Sequence, residues 1–312
     1  MFKKTLCAAM LLAALAPAWA AEWMTDFEAA KAKAAAENKA VLVDFTGSDW
    51  CGWCIRLRKQ VLDTPAFEAY AKDKFVLLEV DLPQNPKFDR AQLQRNQQLC
   101  DQYGVTGFPT VLVLTPKGDV VGGFNGAVAN TTAAAKPLDA ALSVAALLKK
   151  ADSQQGAEQL ATLTQAYKSI PENLQENAAA LRQRIIALDP QDTTGMARMQ
   201  RVQDQRLALQ ETLYNATTPA EALAAVDAAL ATAEPENKTG MLQVKFQILF
   251  MSAETVEDIK AAAEVMREGI KLDPQAGPEA TKRLNALLAD PEAALKRVKT
   301  LRTQRANSAP KK

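Results

Sequence analysis

The sequence contains no histidine. That absence removes Ser-His-Asp and Cys-His catalysis, histidine-ligated zinc and haem attachment together. Charge of one sign is also scarce in excess: 37 Lys and Arg stand against 36 Asp and Glu. A phosphate-binding surface normally shows as a strong basic surplus, so no nucleic-acid partner is expected. No Gly-rich nucleotide loop lies between a strand and a helix, and no organic cofactor is expected. Long apolar runs are missing beyond the first twenty residues, which leaves nothing later in the chain to span a bilayer. Cysteine is sparse, four in 312 residues, and their places carry most of the information.

What is present begins with a leader. Lys3 and Lys4 precede an apolar core from Leu6 to Leu15, and Ala18-Trp19-Ala20 offers small residues at the −3 and −1 positions of a cleavage site. The run is shorter than the roughly 20 residues of a membrane anchor. Residues 1–20 are therefore expected to be a signal peptide, and the product periplasmic or secreted. Removing them takes away two lysines and no acids, which changes the formal charge from +1 to −1. Cys7 leaves with the leader, so Cys51, Cys54 and Cys100 remain in a compartment where thiols tend to be oxidised.

Residues 21–150 read as an α/β unit. A helix rich in Ala, Lys and Glu is expected from Trp23 to about Asn38, then a buried strand over Ala40–Phe45 bounded by Thr46-Gly47-Ser48. A helix follows the cysteines, and Thr64-Pro65 opens another with Thr64 as cap. Strand Phe75–Val80, a helix ending at Tyr103, a hairpin of Thr110–Leu114 with Val120–Phe124, and a helix over Pro137–Lys150 complete an α-β-α-β-α-β-β-α order. Residues 151–312 change character: Ala-rich, with Thr218-Pro219, Asp273-Pro274 and Asp290-Pro291 as helix boundaries and no convincing strand. Leu-Asp-Pro-Gln occurs at Leu188 and again at Leu272, as in TPR-like helical hairpins, although the rest of that repeat pattern is missing. An all-α helical-hairpin domain is expected, with a disordered tail from Ala306. The basic end from Lys296 to Lys312 reads as a solvated helix end or an anionic contact.

The pair Cys51-Gly52-Trp53-Cys54 sits at a helix start. Unsatisfied N–H groups and the positive end of the helix dipole favour thiolate over thiol there, lowering a pKa that is ordinarily ~8.5. Cys54, Leu57 and Val61 fall at i, i+3 and i+7, so Cys54 takes the core face and Cys51 the exposed start. Cys51 is then the attacking nucleophile and Cys54 the resolving thiol, close enough to close a disulfide within a turn. Arg56, Arg58 and Lys59 add positive charge in the next turn. A permanent structural disulfide is the alternative. Zinc is not expected, since three cysteines without histidine fall short of four ligands unless a carboxylate joins them. Cys100 reads as a small buried core residue or a third redox thiol.

These residues resemble the thioredoxin family. Val43-Asp44-Phe45 followed by Trp50-Cys51-Gly52-Trp53-Cys54 looks like its active-site segment, and Tyr103-Gly104-Val105-Thr106-Gly107-Phe108-Pro109-Thr110 looks like its cis-proline loop. The string from Asp44 to Leu57, with Asp63–Phe67 and Val76–Asp81 behind it, is similar to secreted bacterial thioredoxin-like proteins; the resemblance covers roughly residues 22–150. It implies a thioredoxin-like fold, a central mixed sheet flanked by helices. It further implies that Pro109 is the cis-proline facing the disulfide and that Phe108 offers backbone to an incoming peptide. Asp44 matches the buried acid that assists proton transfer beneath the second cysteine; the Thr46–Asp49 loop carries one residue more than thioredoxin, and Asp49 is the alternative acid. Trp50, Gly52 and Trp53 are expected at the substrate-contacting rim.

The expected activity is extracytoplasmic thiol:disulfide exchange on protein disulfides, reducing or isomerising rather than oxidising. A membrane or periplasmic redox partner would then be needed. Isomerisation would call for a homodimer through the helical half. The reading from another class is a non-catalytic binding or scaffold protein, with a thioredoxin-fold platform and a helical interaction domain.

Overall fold

The computed structural model describes residues 22–85, 89–273 and 277–308. The expected leader, Cys7 and the last four residues lie outside the described residues. The chain divides into two compact units, Met1–Pro190 and Gln191–Lys312.

Unit 1 is built on a four-stranded sheet in the order β2-β1-β3-β4, formed by β1 (Ala40–Thr46), β2 (Phe75–Asp81), β3 (Thr110–Leu114) and β4 (Val120–Asn125). β1 runs parallel to β2 and antiparallel to β3, and β3 pairs antiparallel with β4. Every residue of β1 is buried, as a central strand covered on both faces should be, and its β-branched and aromatic composition suits that place. The β3–β4 turn closes through the Thr115 N–H donating to the Asp119 carbonyl, with Gly118 at φ +95°.

The helices are α1 (Phe27–Glu37), α2 (Gly52–Leu57), α3 (Pro65–Ala71), α4 (Arg90–Gln102), α5 (Thr131–Ala151), α6 (Gly156–Ser169) and α7 (Ala179–Leu188). α2 runs straight into a π turn over Arg58–Leu62. Leu57 and Val61 are buried along with Cys54. Thr64 caps α3 by accepting from the Phe67 N–H, with Pro65 behind it.

Two boundaries differ from expectation. α1 starts at Phe27, not Trp23, because Asp26 accepts from the Ala29 N–H as a cap and Met24 pairs with the edge of β2 instead. α5 starts at Thr131, with Asn130 as its cap, and carries Pro137 inside the helix rather than at its start. α5 lies against β4, where a Cβ on Gly122 would come within 2.9 Å of the Ala141 Cβ.

The expected boundary at residues 150/151 falls at the end of α5, whereas the first compact unit runs on to Pro190. The reason is continued packing: Leu163, Tyr167, Ile170, Leu174, Leu181 and Ile185 are all buried. Asp152 also pairs with Lys117 of the hairpin turn at 2.6 Å and with Arg184 of α7 at 2.7 Å.

Unit 2 is a run of helices: α8 (Met196–Asn215), α9 (Pro219–Ala231), α10 (Pro235–Ser252), α11 (Val256–Leu272), α12 (Gly277–Ala289) and α13 (Pro291–Ser308). Thr218 with Glu221 and Thr255 with Asp258 form capping boxes, so the helix starts are written locally. Among the described residues from 151 onward there is no strand. α13 continues through Ser308, so residues 306–308 are helical rather than a disordered tail. Within this basic end Arg302 pairs with Glu254 and donates to the Ala253 carbonyl. No described helix is long and apolar enough to cross a membrane.

Candidate active site

β1 delivers the chain to the site. Its last residue, Thr46, precedes a loop from Gly47 to Trp50, and Cys51 then caps α2. Cys51 and Cys54 form a disulfide, and the Cys51 Sγ accepts the Cys54 N–H at 3.2 Å. The same N–H is placed to stabilise a thiolate once the bond opens. Cys54 is 1% exposed. Cys51, expected at an exposed start, is only 8% exposed, because its N–H is tied to the Gly47 carbonyl and its sulfur to Cys54.

The loop ahead of the cysteines is braced from below. Ser48 donates through its N–H and hydroxyl to the Asp81 carboxylate. The Asp49 carboxylate accepts the N–H groups of Gln84 and Asn85 at 2.9 and 2.8 Å. Asp49, the alternative acid, is thus spent on holding the loop that the extra residue creates. The Trp50 indole N–H donates to the Leu82 carbonyl, and its ring meets Phe108 edge-on at 5.9 Å. A Cβ at Gly47 would come within 2.5 Å of the Trp50 ring, so the bare backbone there is what lets the indole lie down.

Trp50 is 43% and Trp53 60% exposed, and Ile55 beside them is also exposed. Together they give the rim an apolar surface. The Arg56 guanidinium stacks over the Trp53 ring at 4.6 Å. Nothing stands within 4 Å of where a Gly52 side chain would project, so the residue between Cys51 and Trp53 faces open space. The Phe108–Pro109 bond is cis, Pro109 is buried, and Thr110 follows as the first residue of β3.

Beneath the helix lies Asp44, 1% exposed. Burial pushes its carboxyl up to about 7; Arg58 opposes that rise and the neighbouring Glu79 adds to it. Asp44 pairs with Glu79 in the β1–β2 register, and Arg58 reaches both carboxylates at 3.5 Å and Asp63 at 3.3 Å. The Arg58 backbone N–H donates to the Cys54 carbonyl, so the residue that holds Asp44 sits one helical turn beyond the second cysteine. Trp23 stacks on the same guanidinium at 4.3 Å. The Asp44 Oδ1 has no hydrogen-bond partner among the described residues, and burial also raises the Glu79 carboxyl. A carboxyl that titrates near 7 exchanges protons readily around neutral pH, and this one lies where Arg58, one turn beyond Cys54, reaches it.

Cys100 is a buried free thiol in α4, and burial, with Asp101 nearby, pushes it up to about 11. That is the environment of an inert core thiol. Among the described residues no group of three or more His, Cys, Asp or Glu is placed to hold a metal ion.

The site therefore joins Trp50, Cys51, Cys54 and Phe108-Pro109 at one end of the sheet, with Asp44 beneath. Sequence reasoning missed Gly47, whose role needs the indole position, and the Arg58–Glu79 contacts, which need the strand register. It also missed Asn177, whose amide donates to the Tyr103 carbonyl at 2.7 Å and the Gly104 carbonyl at 3.2 Å.

Comparison with known proteins gives a consistent result. Residues 22–116 match the family model described as Thioredoxin-like. An 82-residue stretch is 40% identical to the disulfide bond reductase DsbH of Chlamydia pneumoniae, covering 26% of this chain and 49% of that protein. A 94-residue stretch is 33% identical to the thioredoxin-related protein DsbJ of the same organism, covering 30% of this chain and 27% of that protein. The chain thus spans about half the length of the first relative and about a quarter of the second. Among solved structures, a DsbH oxidoreductase is 29% identical with a TM-score of 0.38, over 46% of this chain and 95% of that one. A thioredoxin from Thermus thermophilus is 26% identical with a TM-score of 0.25, over 30% of this chain and 65% of that one.

Proposed function

We propose, from the match of residues 22–116 to the thioredoxin-like family model, that the protein is an extracytoplasmic thiol:disulfide oxidoreductase that reduces protein disulfides. The observation that carries the proposal is the Cys51–Cys54 disulfide at a helix start, with Cys54 buried and the exposed rings of Trp50 and Trp53 beside Cys51. The similarity to a protein named disulfide bond reductase supports the reducing direction. The leader read in residues 1–20 supports the extracytoplasmic compartment.

In the reduced state the Cys51 thiolate attacks one sulfur of a substrate disulfide. The substrate's S–S bond breaks, a mixed disulfide forms and one substrate thiolate leaves. Asp44, held near 7, takes the proton from Cys54. The Cys54 thiolate then attacks the Cys51 sulfur and expels the second substrate thiolate. Two electrons pass to the substrate, whose sulfurs take up protons, and the Cys51–Cys54 bond is restored. A dithiol donor on the membrane or in the periplasm must reduce it again. Trp50, Gly52, Trp53 and Phe108 contact the substrate, and Pro109 faces the exchanging sulfurs.

Equilibration of the protein with glutathione buffers, followed by Trp50 and Trp53 fluorescence, tests this. A reductase is expected to show a potential of about −250 mV or below. A Cys54→Ser variant should accumulate mixed disulfides with protein substrates. A bridge that never opens across the range would instead favour a scaffold. That second reading is supported by a groove in unit 2 lined by Phe246, Phe250, Met266, Ile270, Leu287 and Leu301.

A further inference from the structure

Two apolar surfaces of unit 2 are left without cover, and their chemistry matches. The first is the outer face of α8. Leu207 is 54% and Tyr214 88% exposed, and with the exposed Met199 they fall on one side of the helix. Single exposed apolar residues are ordinary, but three along one face are not. Asp204 and Glu211 border the stripe on one edge, Gln203 and Gln210 on the other. The cations of α8 are turned elsewhere: Arg198 pairs with Glu236, Arg201 with Glu234, and Arg206 donates to the Asn237 side-chain oxygen. Glu211 has no partner among the described residues, and Asp204 has the neutral Gln200 amide. The face is apolar with an acidic edge.

The second surface is a groove of about 1020 Å³ lined by α10, α11, α12 and α13, with α10 and α12 both packed on α11. Phe246 and Phe250, stacked at 5.5 Å, join Met266, Ile270 and Leu287 in an apolar floor. Its acids are Asp273, Glu279 and Asp290, and each is occupied. Asp290 accepts the Ala293 N–H at 2.9 Å, Asp273 has a partner of its own, and Glu279 meets Arg283 at 3.8 Å. Arg297 has none among the described residues, so the unmatched charge on the groove is positive. Gln243 and Gln247 of α10 supply free amides.

Size favours a helix over a small ligand. The volume stands at the top of the roughly 300–1,000 Å³ range of small-molecule pockets. The groove follows α10 from Thr239 to Phe250, about 16 Å at the rise of a helix, and Leu207 and Tyr214 lie about 10 Å apart along α8. α8 cannot fill the groove of its own chain. Leu209, nearly opposite Leu207 around the helix, is buried with Val226 and Met241 and holds α8 to the other face of α10.

We propose that two copies of this chain associate through unit 2, the outer face of α8 of one copy lying in the α10–α13 groove of the other. Leu207 and Tyr214 enter the apolar floor, and Asp204 and Glu211 meet Arg283 and Arg297. Two-fold symmetry lets each copy give its α8 and receive that of the other, which closes the pair. This association does not depend on the redox reading.

Sedimentation equilibrium of the full protein between about 1 and 100 μM tests it, with two charge-swapped variants. One is Asp204→Arg/Glu211→Arg and the other Arg283→Glu/Arg297→Glu; all four side chains are exposed, and matching thermal midpoints will show that the fold is kept. The wild type is expected to sediment as two copies, and each variant alone to associate roughly tenfold or more weakly. Mixing the two variants restores both contacts at once, so the mixture should regain the pair. A wild type that stays a single copy overturns the inference. So does a pair that neither swap weakens, or a mixture that does not recover.

Discussion

The Asn177 Nδ2 lies 2.7 Å from the Tyr103 carbonyl oxygen, a bond between residues 74 apart in the chain that ties the helical extension to the loop ahead of Pro109. A second bond, to the Gly104 carbonyl, shares the same amide. Asn177→Ala leaves both carbonyls to water, at a cost of about 1–2 kcal/mol. Urea unfolding should show that loss, and amide exchange at Val105 to Gly107 should quicken. Unchanged exchange would mean that the extension does not hold the loop.

Asp44 makes stability depend on pH in a stated direction. Folded, it stays protonated up to about 7; unfolded, it ionises at the ordinary carboxylate value near 4. Between those values the native state holds the extra proton, so stability falls as pH rises through the window. Asp44→Asn removes that slope and should be more stable than wild type at pH 8, by up to about 4 kcal/mol. Urea midpoints of both proteins at pH 4 and pH 8 decide it; parallel behaviour would place the proton elsewhere.

Arg58 is the cation that restrains Asp44 from rising further. Arg58→Met keeps the stem and removes the charge, so the Asp44 titration should move upward. It should appear as an alkaline shift in the pH profile of the second exchange step, read from the decay of a mixed disulfide. A profile that does not move would show that Arg58 serves only Asp63 and Glu79.

Cys100 should behave as a bystander. With a buried thiol pushed up to about 11, it is protonated and out of reach at pH 8. After mild reduction, alkylation of the native protein should leave Cys100 unmodified, while the same treatment in denaturant should modify it. Native labelling at Cys100 would make it a candidate third redox thiol.

The parts of this molecule that were legible beforehand are the ones written in consecutive residues. The β-branched run from Ala40, the Cys51-x-x-Cys54 spacing and the Phe108-Pro109-Thr110 turn each carry their own local signal, as do the caps at Thr64 and Thr218. What escaped depends on partners distant in sequence. The Ala-Lys-Glu composition from Glu28 onward favours helix, but Met24, ahead of it, finds a strand edge to bond. Pro137 looks like a helix start, yet with Asn130 as its cap the helix already begins at Thr131. Arg58 reads as a solvent-facing charge until the β1–β2 register sets Asp44 beside Glu79. The segment over residues 172–178 has no motif at all; the buried Leu174 and Ala178 flank Asn177, which reaches the loop ahead of Pro109.

Gly47 gives the sharpest test of how the site is assembled. Its φ needs no special residue, so the constraint is space alone: a methyl there would stand 2.5 Å from the Trp50 ring. Gly47→Ala must therefore push the indole away from the Leu82 carbonyl and from Phe108, contacts that tie the cysteine loop to the segment after β2 and to the proline loop. The strain and the lost bond should cost about 1–3 kcal/mol of stability. Tryptophan emission should shift to the red as Trp50 gains water, and KM for a peptide disulfide should rise. Trp50→Phe separates the two causes, since it removes the indole N–H without crowding Gly47. If Gly47→Ala matches wild type in emission and midpoint, the loop relaxes around the methyl, and Trp50 does not bind the two loops together.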